Sequence, residues 1–172
     1  MATQIAPLTD AAYTAEQAVL TDTIANEVYA AHYNERKTGR IIIGGEFYQF
    51  NTVECNRIAR LNRDGSLDSS FNPGAGPNTG IRCLTLDGAG KILIGGVFTS
   101  VGGAARNRIA RLNPNGILDA LLDPGEGASE VVRWITLQPD GRILLVGGFK
   151  KFAGSEVACV TRLAGDALLV SK

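Results

Sequence analysis

Apolar runs and polar turns alternate along most of this chain, and the alternation recurs with a period of 51 residues. The segment RIIIGGEF at 40–47 returns as KILIGGVF at 91–98 and as RILLVGGF at 142–149. The heptapeptide NRIARLN at 56–62 is repeated at 107–113. Several segments that share one offset indicate a structural repeat, in which each unit buries its apolar face against its neighbours.

Each unit is predicted to be an antiparallel meander of short strands. Residues 92–94 form an apolar run bounded by glycines, and 108–112 alternate polar and apolar positions, as buried and half-buried strands do. Turn sequences that end in glycine, such as Gln138 to Gly141, separate the runs. We therefore expect a mainly β fold of three antiparallel, propeller-blade-like repeats with three to four short strands each. They form one domain, 27–172, with repeats at about 27–77, 78–128 and 129–172.

The first 26 residues lack this pattern and are predicted to form a short α-helical arm. A capping box that begins at Thr14 opens a helix placed at about 14–25. Its narrow apolar stripe consists of Leu20, Ile24 and Val28. Residues 28–33 fit either the end of this helix or the first strand of the first repeat. The strand is favoured, because the later repeats place a strand at the corresponding position.

The charges divide the chain in the same way. The 17 basic and 17 acidic residues cancel overall, but the first 35 residues carry five acidic and no basic side chains. An arm of about −5 therefore precedes a body of about +5. A neutral chain has no excess of cations to displace counterions from nucleic acid, and no apolar run approaches the length of a membrane span. Neither nucleic acid nor a membrane is therefore an expected partner.

The N-terminus has neither the basic region nor the continuous apolar stretch of a secretory signal. No signal peptide is therefore predicted, and synthesis in the cytoplasm is expected, with a virion as the later location. An extracellular or cell-surface location, reached by another route, is the alternative.

Few residues are available for catalysis or metal binding. His32 is the single histidine of the chain, and Cys55, Cys83 and Cys159 are irregularly spaced without a CxxC pair. No catalytic constellation, metal site or cofactor site is expected from these residues. The protein is accordingly predicted not to be an enzyme.

One set of charged residues recurs with the repeat. It consists of Arg60, Arg111, Arg162, Asp68 and Asp119. Charges of opposite sign that recur within one unit suggest a structural ion pair, or hydrogen bonds to the carbonyl groups of turns. A ligand site present once in each repeat is the alternative interpretation.

A set of phenylalanines recurs as well. Phe47, Phe98 and Phe149 adjoin apolar strands, so they are expected in the core. Phe50 and Phe152 lie in aligned loops and are the candidates for aromatic contacts at the surface. Such contacts would serve a protein partner or a glycan.

The motifs of the body resemble those of the bacterial delta-60 repeat proteins, a family of β-propeller-like repeats. The segments that carry the resemblance are QPDGRIL at 138–144, KILIGGVF at 91–98 and RLNRDGSLD at 60–68. The resemblance covers residues 28–172 and implies the repeat fold, with no catalytic residue or cofactor. Members of this family are mostly long surface or secreted proteins of poorly known function. The third repeat departs from the pattern after Leu163.

Three repeats are fewer than the four to eight blades with which propellers close. The two ends of the array then remain uncovered, and we expect protein partners to cover them, as a homo-oligomer or a larger assembly. The alternative is that the chain is a piece of a longer propeller. A non-catalytic structural or interaction protein is the leading hypothesis, and a phage tail, fibre-attachment or capsid-decorating component is its most specific form. The alternative is a bacterial surface or secreted propeller that binds glycan or protein.

Overall fold

The computed structural model describes residues 28–34 and 39–164 of the chain, and strands are the regular structure of these residues. The mainly β class with blade-like repeats is thereby confirmed. Residues 28–33 belong to a strand, as the sequence favoured. The predicted arm at 1–26, with its helix, lies outside the described residues, as does the segment 165–172. No helix long and apolar enough to cross a membrane occurs in the described part of the chain.

Fifteen strands follow one another in three sets of five. The first set is β1 (Val28–Asn34), β2 (Arg40–Gly45), β3 (Gln49–Phe50), β4 (Val53–Glu54) and β5 (Ile58–Leu61). The second set is β6 (Ile81–Leu86), β7 (Ile92–Gly96), β8 (Ser100–Val101), β9 (Ala104–Ala105) and β10 (Ile109–Leu112). The third set is β11 (Val132–Leu137), β12 (Ile143–Gly147), β13 (Lys151–Phe152), β14 (Ser155–Glu156) and β15 (Val160–Leu163).

Each set folds into one antiparallel sheet, which we call a blade. The sheet orders are β1-β2-β5, β6-β7-β10 and β11-β12-β15. The two short strands between the second and fifth strands of each set pair as a small hairpin of their own. In the first two blades a single bridge continues the sheet beyond the fifth strand, at Leu61–Leu67 and Leu112–Leu118. The first two blades therefore have three full strands and the start of a fourth, and three strands of the third blade are described.

The core lies between successive blades. The first strands β1, β6 and β11 contact one another in order, so the blades stack side by side. Between the first and second blades, Ile42 and Ile58 meet Ile92, Ile94 and Phe98. Between the second and third blades, one cluster joins Cys83, Leu93, Ile109, Val132, Ile135 and Leu145. Each blade thus buries its apolar face mainly against the next blade, as repeat architectures do.

Glycines in the middle strands permit this close packing. An added Cβ at Gly44 would lie 2.9 Å from Cγ2 of Ile81 in the next blade. An added Cβ at Gly95 would lie 2.7 Å from Cγ1 of Val132 and 2.8 Å from Cδ1 of Ile135. All three distances are shorter than carbon atoms tolerate, so a side chain at either position would push the neighbouring blade away.

Candidate functional site

The recurring charges of the first repeat meet at one buried carboxylate. Asp68 is 6% exposed, and its Oδ2 lies 2.7 Å from Nε of Arg60 and 3.2 Å from Nε of Arg40. Its Oδ1 accepts hydrogen bonds from the backbone N–H and the hydroxyl of Ser70. Burial by itself would raise the pKa of Asp68, but the hydrogen bonds from Ser70 and Arg60 lower the pKa to about 2. The Arg60 guanidinium also donates to the carbonyl of Pro114 in the second repeat, so this cluster ties two blades together.

The second repeat contains the same arrangement. Oδ2 of Asp119 lies 2.7 Å from Nζ of Lys91 and 2.8 Å from Nε of Arg111. Burial would raise the pKa of Asp119, and hydrogen bonds from Lys91, Leu121 and Arg111 outweigh it and lower the pKa. Two cations on neighbouring strands therefore converge on one carboxylate in each of the first two repeats.

The third repeat keeps both cations but has a different residue at the carboxylate position. Arg142 and Arg162 occupy the places of Lys91 and Arg111, whereas the place of Asp119 is taken by Val170, outside the described residues. Arg142 instead lies near Asp140, with 3.4 Å between Nε and Oδ2, and both side chains are about half exposed. Arg162 is exposed, in contrast to the buried Arg111.

The recurring phenylalanines are all buried, at two kinds of position in the blade. Phe47, Phe98 and Phe149 are completely buried in the clusters beside and between the blades. Phe50 and Phe152 are also buried, at 2% and 5% exposure, so the prediction that they form surface contacts was wrong. Each of them ends the first strand of a small hairpin that folds its aromatic side chain back onto the blade. The Phe152 ring, for example, packs edge-on against Phe149 with 6.3 Å between ring centroids.

An apolar surface that sequence reasoning missed lies on the third blade. Trp134, Val146 and Val160 are 58%, 38% and 46% exposed, and the strand register places them in one row across the sheet. Leu144 and Arg162 form the next row. We call the outward surface formed by these five residues the terminal face.

The terminal face is equivalent to surfaces that are buried elsewhere in the protein. The row of Trp134, Val146 and Val160 corresponds to Cys83, Gly95 and Ile109, which the third blade covers. The sequence signal was the third double glycine, which is shifted by one residue and leaves Val146 where the earlier repeats have Gly44 and Gly95. No described residue of the chain packs over the terminal face as the third blade packs over the second.

Comparison with known protein families agrees with this architecture. A family model described as a domain of unknown function (DUF5122) β-propeller matches residues 37–71, 90–121 and 138–166, more than half of the chain. The chain belongs to the DUF5122 β-propeller family. The three matched segments begin at or just before the middle strand of each blade and run past its last strand. No curated protein matches the chain.

The part of this DUF5122 protein that the structure describes contains few groups suited to chemistry. Within 28–34 and 39–164, no three His, Cys, Asp or Glu side chains are grouped as a metal site would need. Cys83 is buried, and desolvation raises the pKa of its thiol to about 12, so it is an inert thiol. His32 lies on β1, and Cys159 is exposed before β15.

One cleft of about 360 Å³ lies between the second and third blades. Its polar residues include Asp87, Arg111 and Gln138. Asp87 accepts hydrogen bonds from the backbone of its own turn, and Arg111 is paired with Asp119. Asp87 is thus engaged in its own turn and Arg111 in its ion pair, whereas the terminal face presents a row of exposed apolar side chains.

Proposed function

We propose that this protein is a non-catalytic structural or interaction module, which joins a larger assembly through the open ends of its β-repeat array and its N-terminal arm. Membership of a β-propeller family supports the interaction role, because propellers are built from blades that bury their faces against other blades. The scarcity of catalytic residue types in the sequence supports the non-catalytic role.

The observation that carries the proposal is the exposure of the terminal face. Trp134 is 58% exposed, although the equivalent Cys83 is 8% exposed. A row of large apolar side chains on the open surface of a sheet is typical of an interface, since contiguous exposed apolar surface is uncommon on monomers. Exposed tryptophans are also the side chains that most often dominate binding energy.

The number of blades supports the same conclusion. Three blades are fewer than the four to eight with which a propeller closes, and among the described residues the third blade has no neighbour on its outward surface. A second copy of the chain, or another protein, is the partner that we propose at the open ends.

Size-exclusion chromatography with light scattering at micromolar concentration tests the proposal. We expect a mass that is a multiple of the 18.1 kDa chain, falling toward the monomer on dilution. A stable monomer across the concentration range, with no partner recovered at the terminal face, contradicts it.

Two finer assignments belong to this proposal. The first is that the protein is a delta-60 repeat protein in the narrower sense, and the motif RLNRDGSLD at 60–68 supports it. The second is a role in a phage virion, as a tail, fibre-attachment or capsid-decorating component. Three repeats, fewer than a closed propeller has, and an acidic N-terminal arm support this role, because virion proteins are held in place by contacts with other subunits. Capsid and tail genes beside its gene are the expected finding, whereas cell-wall or secretion genes there would favour a surface binding module.

A further inference from the structure

The terminal face combines an apolar row with Arg162, and Arg142 adjoins it directly before β12. The equivalents of both arginines in the first two repeats bind a carboxylate. We propose that the acidic N-terminal arm of a second copy of the chain docks on this face. One carboxylate of the arm takes the position between Arg142 and Arg162 that Asp68 and Asp119 hold in the first two repeats. The inference rests on the proposed function and names the partner of its open end.

The terminal face cannot accept another blade in the way that the first two blades do. Val146 occupies the place of Gly95, where even a Cβ would lie 2.7 to 2.8 Å from side-chain atoms of the following blade. An isopropyl group extends further, and Trp134 is much larger than Cys83 beside it. A blade stacked in the same geometry would therefore overlap these side chains. The occupant must be a segment that rests on top of the row.

The backbone beside the apolar row is arranged for a carboxylate, and Arg142 makes only a half-exposed contact with Asp140. Arg162 on β15 pairs with Leu144 on β12, which is the register that Arg111 and Leu93 have in the second blade. Arg142 stands directly before β12, as Lys91 stands directly before β7. Because the backbone places both cations as in the second blade, a carboxylate supplied from outside meets two donors from neighbouring strands.

The arm has the complementary chemistry. The arm and Glu27, the residue that joins it to β1, carry four acidic residues and no basic one, namely Asp10, Glu16, Asp22 and Glu27. Its predicted stripe contains Leu20 and Ile24, which suit the apolar row. Acidic side chains beside an apolar stripe therefore meet arginines beside an apolar row, and this complementarity favours docking in one orientation.

The geometry of the chain assigns the arm to a second copy. Val28, at the end of the stripe, is half-buried against the cluster of Ile41, Ile43 and Phe47 on the first blade. Ile24 of the stripe lies only four residues before Val28, and even a fully extended chain spans no more than about 14 Å over that distance. Stacked sheets are about 10 Å apart, which puts the terminal face of the same chain about 20 Å or more from the first blade. The stripe of a neighbouring copy, in contrast, can sit between its own first blade and this face.

The first experiment measures self-association of the full chain by light scattering and analytical ultracentrifugation. The double variant Arg142→Glu/Arg162→Glu should raise the dissociation constant at least tenfold, because it replaces both donors with like charges. Trp134→Ala should also weaken association. The matched control Lys150→Glu/Lys151→Glu makes the same change of charge on the small hairpin of the same blade and should leave association unchanged. Thermal unfolding of each variant verifies that it is folded.

The second experiment exchanges the charges. The arm variant Asp22→Lys/Glu27→Lys should associate at least tenfold more weakly by itself. Mixed with Arg142→Glu/Arg162→Glu, it should recover association, since the reversed arm now meets a reversed face. Recovery in the mixture is a result that general destabilisation of either variant would not produce.

The outcomes separate the two proposals. If the wild-type chain is a stable monomer and no partner is recovered, the proposed function fails. If the wild-type chain associates and Arg142→Glu/Arg162→Glu associates equally well, the proposed function stands and docking on the terminal face is wrong. If Arg142→Glu/Arg162→Glu fails to associate but the reversed arm associates normally, a different carboxylate occupies the face, and the assignment of the arm is overturned.

Discussion

The surface of the second blade that faces the third and the outward surface of the third blade share one backbone pattern but differ in their side chains. In the covered surface, a row of Cys83, Gly95 and Ile109 lies under the next blade. In the open surface, the equivalent row is larger and exposed, with Trp134, Val146 and Val160. Both sheets have the same strand order and register. The fold of a blade is thus separable from its capacity to receive another blade.

The connections between repeats also share a backbone conformation but differ in their side chains. Arg57 and Arg108 adopt positive φ values of 72° and 67°, and each donates a hydrogen bond from Nη1 to the backbone carbonyl that leads into the next repeat, at Pro77 and Ala128. Cys159 keeps the backbone conformation, with φ of 62°, but has no guanidinium. The third repeat has therefore retained the backbone geometry of a blade while losing the side chains that hold a successor.

Truncation of an aromatic side chain should give the largest difference in stability between a covered surface and the open one. Phe98→Ala empties a completely buried site between the first and second blades and should cost about 3–5 kcal/mol of unfolding free energy. Trp134→Ala removes a mostly exposed side chain and should change the stability of the monomer by no more than about 0.5 kcal/mol. Denaturant unfolding at a concentration where the chain is monomeric measures both. Comparable losses at the two positions would mean that the terminal face is covered within the monomer.

Removal of a buried carboxylate is the next largest effect. Asp119→Asn leaves Lys91 and the 5%-exposed Arg111 without their shared anion and should cost about 3 kcal/mol. The control Asp140→Asn breaks an exposed pair with Arg142 and should cost less than about 1 kcal/mol. The same unfolding assay compares them. An equal, small loss for both would show that the buried ion pair contributes no more to stability than the exposed one.

The fold was largely predictable because it is repeated. Three near-identical segments at one period specify strands, turns and their order, and even the ambiguous 28–33 followed from its position before the first double glycine. Each of Asp68 and Asp119 contacts two cations, and the sequence predicted only one of the two. The arginines recur visibly, whereas the contribution of Arg40 and Lys91 depends on where the neighbouring strand begins.

The candidate site was not predictable from the repeats alone, because it consists of departures from them. The position of Phe50 and Phe152 in loops predicts surface contacts. Both residues instead lie in hairpins of two-residue strands that point their side chains into the core. Trp134 and Val146 occupy ordinary strand positions of the repeat, and they are exposed because no described blade follows the third. The identity of a neighbour, or the lack of one among the described residues, is information that a single repeat does not contain.

Exchanging the residues at one equivalent position between the two surfaces should have an intermediate effect on the free energy of unfolding. Gly95→Val places the residue of the terminal face under the third blade, where the added atoms would meet Val132 and Ile135, and should cost about 2 kcal/mol or slightly more. The reciprocal Val146→Gly relieves no contact and should cost about 0.5–1 kcal/mol through backbone entropy. Thermal and denaturant unfolding measure both. If Gly95→Val were neutral, the argument that Val146 excludes a fourth blade would be lost.

Acid should weaken the joint between the first and second blades over a defined range of pH. The pKa of Asp68 is lowered to about 2 in the folded protein, so its ion pair stabilises the fold fully above the unfolded pKa near 4. As the pH falls from about 4 to 2, about 2 kcal/mol of this stabilisation should be lost, because the unfolded chain binds the proton more readily. Unfolding of the wild type and of Asp68→Asn at pH 2, 4 and 6 measures the loss. The variant should lose less stability across this range, by about 2 kcal/mol, whereas identical slopes would show that the carboxylate is not responsible.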